Sequence, residues 1–228
     1  MDDFTDLARR RALARLARLA AGGALGMGGM AALLTDALAA APQGLHTIKG
    51  DVRIDGEPAA SGQRLRMGQK IETGPESEAV LVHDSHAFLL RGDSAMRIEQ
   101  GAGVTVLRYL TGRVLSVFGK GRKRLITPTA TIGIRGTACY IEAGEHNTYF
   151  CLCYGTAAIT PVHAPSKQRT IRTRHHESPL YIGADAQAPY SKAAVDNHRD
   201  DELVMLEALA GRVPPFTASG RKGRRERY

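Results

Sequence analysis

The chain has 228 residues, enough for one sizeable core or a core with appendages, and its 43% hydrophobic and 24% charged composition excludes wholesale disorder. The net charge of +8 invites an anionic partner, but half of it lies in the last twelve residues, where Arg221, Lys222, Arg224, Arg225 and Arg227 face only Glu226. The remainder is weakly basic, which argues against a dedicated nucleic-acid surface, and the tail over 217–228 reads as solvated.

At the N-terminus, Arg9-Arg10-Arg11 precedes a stretch rich in Ala, Gly, Leu and Met that ends in Ala37-Leu38-Ala39-Ala40-Ala41-Pro42. A charged region, an apolar region and small residues before a cut are the three parts of a secretory signal, so residues 1–41 are expected to direct export to the periplasm and to be cleaved. The alternatives are an uncleaved membrane anchor, for which the length nearly suffices, or an amphipathic helix. Arg9-Arg10-Arg11 also suggests the twin-arginine route, without deciding between it and general secretion.

Beyond Pro42, short apolar runs recur every eight to ten residues between Gly, Asp, Ser, Asn or Pro. The runs cover 79–82, 87–90, 95–98, 104–110, 114–118, 132–135, 139–142 and 149–154. None reaches helical length, and β-branched and aromatic residues are frequent, so the spacing predicts an all-β domain over 42–163, a short-stranded β-roll or sandwich. A polar extension with short strands follows over 164–190. The one convincing helix is expected within 191–216, opening at Asp196-Asn197, with Leu203, Leu206 and Ala210 on its core face and Gly211 and Pro214-Pro215 stopping it.

Several stretches in this order resemble the FecR domain, the periplasmic part of iron-dicitrate-type transport regulators. They are Ile48-Lys49-Gly50-Asp51-Val52, the segment Arg66 to Gly74, Gly112-Arg113-Val114, Ile126-Thr127-Pro128-Thr129-Ala130 and Gly133-Ile134-Arg135-Gly136-Thr137. The resemblance covers about residues 46–160, and Thr127-Pro128 with Gly133, Arg135, Gly136 and Thr137 is its most specific part. It implies a periplasmic β-module that binds an envelope partner or small ligand in sensing and signalling, without enzymatic activity and without a cofactor. The roughly eighteen residues ahead of the apolar stretch are too few for a folded cytoplasmic domain, so direct control of a sigma factor is not expected. In its own right, Arg135 alternates away from Ile132 and Ile134 between two glycines. It could serve carbonyls at the strand ends or an anionic ligand, and the structural role is the one expected.

Three cysteines fall within fifteen residues. On a strand, Cys151 and Cys153 share a face with Tyr149, while Phe150, Leu152 and Tyr154 take the other. A four-residue hairpin link would place Cys139 opposite Leu152, on the wrong face; three or five residues would bring it to Cys151 or Cys153. An oxidising compartment favours a disulfide from Cys139 to one of them, with the third thiol left over. Buried inert thiols are the second reading. The third is a metal-, haem-binding or redox cluster of Cys139, Cys151 and Cys153 with His175-His176 as donors, His146 and His163 lying nearer in sequence. No phosphate-binding loop or hydrolase signature occurs, which favours a binding module over an enzyme.

Overall fold

The computed structural model describes residues 41–218; the N-terminal signal or anchor and most of the basic tail lie outside the described residues. The strands run in chain order: β1 Gly44–Lys49, β2 Val52–Ile54, β3 Glu57–Pro58, β4 Lys70–Thr73, β5 Glu78–His83, β6 His86–Leu90, β7 Ala95–Gln100 and β8 Thr105–Val117. They continue with β9 Arg122–Ile126, β10 Ala130–Arg135, β11 Ala138–Ala143, β12 Asn147–Pro161, β13 Arg169–Thr173, β14 Leu180–Gly183 and β15 Tyr190–Lys192. Helices α1 (Asp200–Leu209) and α2 (Pro215–Ala218) close the described chain. The expected all-β class with a C-terminal helix holds.

Two long strands organise everything else. The first part of β8 pairs with β7 and, in parallel, with β9; its last part pairs with β6 and β11. Likewise β12 pairs first with β11 and β14, then with β10 and β13. The ladder β8–β11–β12–β10–β9 returns to β8, a closed five-strand ring. The strands β6-β5-β1, β7-β4-β2-β3, β13 and β14-β15 extend its two walls.

Each long strand changes wall at a glycine in a left-handed conformation, Gly112 (φ +81°) and Gly155 (φ +105°). Strands that pass from one layer to another need such a bend, and here no side chain would fit. A Cβ on Gly112 would stand 2.4 Å from the Asp93 carbonyl oxygen, and one on Gly155 2.4 Å from Cγ2 of Thr137. The glycine-separated runs 104–110 and 114–118 are therefore one bent strand, as are 149–154 and the residues beyond it.

The walls enclose a core that includes Phe88, Leu90, Met96, Ile98, Leu107, Tyr109, Ile132, Ile141, Phe150 and Leu152. A second apolar layer lies on the outer face of the wall made by β5, β6, β8, β11 and β12, with Val80, Val82, Leu89, Leu115, Val117, Tyr140 and Tyr149. Helix α1 covers it with Leu203 and Leu206, joined by Ala210 just past the helix end. Burying each leucine contributes about 2–3 kcal/mol. Polar ties fix the helix in place: Arg91 donates to Glu202 at 2.8 Å and to the Asn197 carbonyl at 2.8 Å, and Tyr154 and Arg212 donate to the buried Glu207. The helix begins at Asp200 rather than at Asp196-Asn197, because Glu202 reaches back to the Arg199 N–H (2.9 Å) and Asn197 is turned into a left-handed conformation (φ +57°). The polar extension is part of the sheet, since β13 and β14 both pair with β12.

Gly155→Ala is expected to lower stability by at least about 2 kcal/mol in urea unfolding, from backbone strain and the Thr137 clash together. Adding Thr137→Ser, which removes Cγ2, should recover the clash component only. A second expectation concerns acid. Burial, with the Lys123 charge adding to it, depresses the His86 pKa to about 4, and its Nδ1 accepts the Gly119 N–H at 3.1 Å. The unfolded imidazole titrates at its ordinary value of about 6.5, so this contribution is complete above it and is lost as pH falls from about 6.5 towards 4. His86→Gln should flatten the stability profile in that window.

Candidate functional site

Two regions gather the residues singled out in the sequence. The first is the turn between β9 and β10 and the outward face of β10. Thr127 is buried: its Oγ1 accepts the Ala130 N–H (3.0 Å) and a hydrogen bond from Thr148 (2.9 Å). Thr129 donates to the Ile182 carbonyl at 2.8 Å. These hydroxyls tie the turn around the exposed Pro128 to β12 and β14, so this part of the motif is architectural. Thr137 is too. Its Oγ1 is buried without a partner among the described residues, and its methyl packs at the Gly155 bend, next to Gly136 in the left-handed region (φ +57°).

Arg135 differs from expectation. It is exposed on the outer face and has no hydrogen-bond or ion partner among the described residues, so no strand-end carbonyl depends on it. Register explains its neighbours: Arg135 stands directly opposite Arg122, and Arg124 opposite Gly133. Two strands away, Arg172 lies opposite Thr156. All four arginines are exposed and none has an acidic partner among the described residues, whereas Arg108 on the same face pairs with Glu99 at 2.8 Å. Like charges directly opposite each other cost a few tenths to about 1 kcal/mol per pair. The outward residues between them are small: Gly133, Ala158, Thr131 and Thr156.

The second region lies under α1. The last cross-strand pair, Ala143 with Thr148, encloses the four residues 144–147, and Cys139 faces Leu152, its thiol in the inter-wall core. Cys151 and Cys153 are on the opposite face, in the helix-covered layer. All three cysteines are free, so the expected disulfide from Cys139 is not formed; the even-length link is the physical reason. Cys139 is excluded from any shared site on the same ground. A register shift at this point of the β11–β12 ladder turns Tyr154 to the cysteine side, against the simple alternation.

His176 joins Cys151 and Cys153 from the link between β13 and β14. It has φ +56°, a strained setting for a residue with a Cβ, and its N–H donates to the Cys153 carbonyl at 3.0 Å. Its Nδ1 lies 3.4 Å from Cys151 Sγ and 3.0 Å from Nε2 of His198. His198, just ahead of α1, was not a sequence candidate. It is 2% exposed and its ring stacks on Tyr140 at 4.6 Å. The donor atoms of Cys151, Cys153, His176 and His198 all lie within 4.8 Å of one another. His175 stands outside this group; its Nε2 and the Nε2 of His176 both meet Asp200, at 2.8 and 3.2 Å. His146 and His163 are exposed and belong to neither region.

The hydrogen bond with Cys153, and then those with His176 and His198, outweigh burial and hold the Cys151 thiol down at about 3. Burial works the other way on Cys153, which is pushed well up. Burial disfavours a charged His176, yet its bonds to Asp200 and Cys151 raise it to about 9. Cys151 and His176 thus stand as a hydrogen-bonded pair in a buried layer.

The fold and these two regions define an all-β barrel module with a basic outer face and a buried thiol–imidazole cluster. No family model matches the chain, and no curated protein matches it. Among solved structures it is similar to two crystal structures of a candidate anti-sigma factor from Parabacteroides distasonis. Each has 11% identity and a TM-score of 0.47, over 56% of this chain and 60% of that one, so the chain spans less than two thirds of that protein's length.

Alkylation of the unfolded, non-reduced protein should add three labels. One label would restore the bridged reading.

Proposed function

We propose that the protein is an exported, non-enzymatic binding module of the bacterial envelope, built on a FecR-like β-domain, which engages an acidic partner protein in signalling. The observation that carries this reading is the set of Arg122, Arg124, Arg135 and Arg172 on adjacent strands, exposed and without acidic partners among the described residues. Planar guanidinium groups standing clear of the small residues glycine, alanine and threonine suit bidentate pairing with carboxylates on an opposing surface. One of the four, Arg135, belongs to the motif on which the family resemblance rests.

The non-enzymatic half of the proposal draws support from burial. Cys151, His176 and Asp200 stand in the order of a thiol nucleophile, a base and an orienting acid, but Cys151 is 0% exposed. With the sulfur fully buried beside His176 and His198, a substrate carbonyl has no direct approach to it.

The test is charge reversal. Arg124→Glu combined with Arg135→Glu should leave the unfolding midpoint unchanged or slightly higher, because both side chains are exposed and like-charge repulsion is relieved. The same variant should lose partner capture from the native envelope at least tenfold. Capture that survives reversal would move the docking surface elsewhere. Duplex DNA bound by the parent and lost by the variant would reassign the face to nucleic acid.

A further inference from the structure

We infer that Cys151, Cys153, His176 and His198 form a closed, four-coordinate site for a divalent transition ion of the zinc class. The inference is independent of the arginine face and goes beyond a partner-binding role.

Geometry is the first argument. Zinc holds thiolate sulfur at about 2.3 Å and imidazole nitrogen at about 2.0–2.1 Å, so the edges of a tetrahedral S2N2 site measure roughly 3.3–3.8 Å. The Cys151 Sγ to His176 Nδ1 separation is 3.4 Å and the His176 Nδ1 to His198 Nε2 separation 3.0 Å, near those edges already. No pair of donor atoms exceeds 4.8 Å, so less than about an ångström of contraction per donor completes the shell.

The surrounding hydrogen bonds are the second. The ring nitrogen of His198 away from the cluster, Nδ1, is 2.6 Å from the Asp196 carbonyl, which can only accept. The far nitrogen of His176, Nε2, is 3.2 Å from the Asp200 carboxylate. With both far nitrogens donating outward, His176 Nδ1 and His198 Nε2 face each other at 3.0 Å and converge on two sulfurs, and in the metal-free site a proton is shared among them. An ion that displaces that proton would find four electron-pair donors converging on it. A carboxylate and a carbonyl behind two imidazoles are the partners that fix ring tautomers in metal sites.

Charge is the third. Two thiolates and two neutral imidazoles around a divalent ion sum to zero, which suits an apolar layer between Tyr140, Tyr149 and Leu203. As the ion binds, the Cys153 thiol proton and the proton shared by Cys151 and His176 pass to solvent, and no oxidant or reductant is required. Local conformation agrees: His176 and the residue before His198, Asn197, are both held in the left-handed region, at φ +56° and +57°. Soft sulfur combined with imidazole in a tetrahedral array selects zinc over magnesium or calcium.

The site joins β12 to the segments on either side of β14-β15, so the ion would staple the approach to α1 onto the wall. Asp200 is a positioning residue, and His175 braces it from the side.

The test uses the full chain, reconstituted anaerobically with zinc or cobalt. One equivalent per chain is expected, with cobalt giving a thiolate-to-metal charge-transfer band and the intense visible absorption of a tetrahedral centre. Chelation should lower the melting temperature of the parent. Cys153→Ser and His198→Gln should each lose the stoichiometric ion, and Cys139→Ser and His175→Gln should keep it. Asp200→Asn should retain the cobalt spectrum while weakening affinity by on the order of 10–100-fold. Should the ligand variants not fold, competition by a chromophoric chelator and the parent's cobalt spectrum still decide. The inference is overturned by a pale octahedral cobalt spectrum, by a parent that binds no ion while Cys151 behaves as a simple thiolate, or by an ion held equally in Cys153→Ser and His198→Gln.

Discussion

The structure depends on two places where a strand must bend with no side chain in the way. Gly112 and Gly155 each carry one long strand from one wall of the barrel to the other. Without those bends β8 and β12 would each serve a single wall, and the five-strand ring would not close. The requirement is steric at both: a Cβ would meet the backbone of Asp93 at the first and Thr137 at the second. Thr137 thereby gains a reason that its hydroxyl does not supply. Its methyl occupies the space that the missing Cβ leaves, and much of the Gly-Ile-Arg-Gly-Thr motif is the packing of a corner.

Closing the ring sorts residues into three environments. Inward positions fill the core between the walls, and one outer surface is left to solvent and carries the arginines. The other outer surface is apolar and needs a cover, which α1 supplies. The thiols divide along the same line, Cys139 with the core and Cys151 and Cys153 with the covered layer. A change of one residue in the length of the β11–β12 link would exchange those environments, since strand side chains alternate with a period of two. The chemistry of the cluster is thus set by a turn rather than by the cysteines themselves.

Sequence patterning reveals the strand texture, the shared face of Cys151 and Cys153 and the apolar stripe of the helix, because each rests on local periodicity. It misleads where a glycine inside a strand looks like a strand end: the runs on either side of Gly112 form one element. The fate of Cys139 is conditional on a link length that spacing leaves open between three, four and five. Arg135 reads as a structural arginine from its glycine neighbours, whereas exposure is a property of the folded face. His198 escapes notice for a different reason. It sits in a polar stretch without period, next to an Asp-Asn pair that looks like a helix cap and draws the eye as a boundary. A second imidazole in a short polar segment, next to a run of acids, is the signal that was available.

The late position of the cover in the chain has a consequence for how the molecule is made. The last ring strand is complete at Pro161, but Leu203 and Leu206, which shield the outer layer, follow some forty residues later. During synthesis there is thus an interval in which the ring can close while Val80, Val82, Leu89, Leu115 and Val117 still face water together with two thiols. Such an intermediate is adhesive and open to oxidation, and a chain cut short before residue 200 would remain in that condition. Quality control acting on this protein would have one obvious thing to recognise: a finished barrel without its lid.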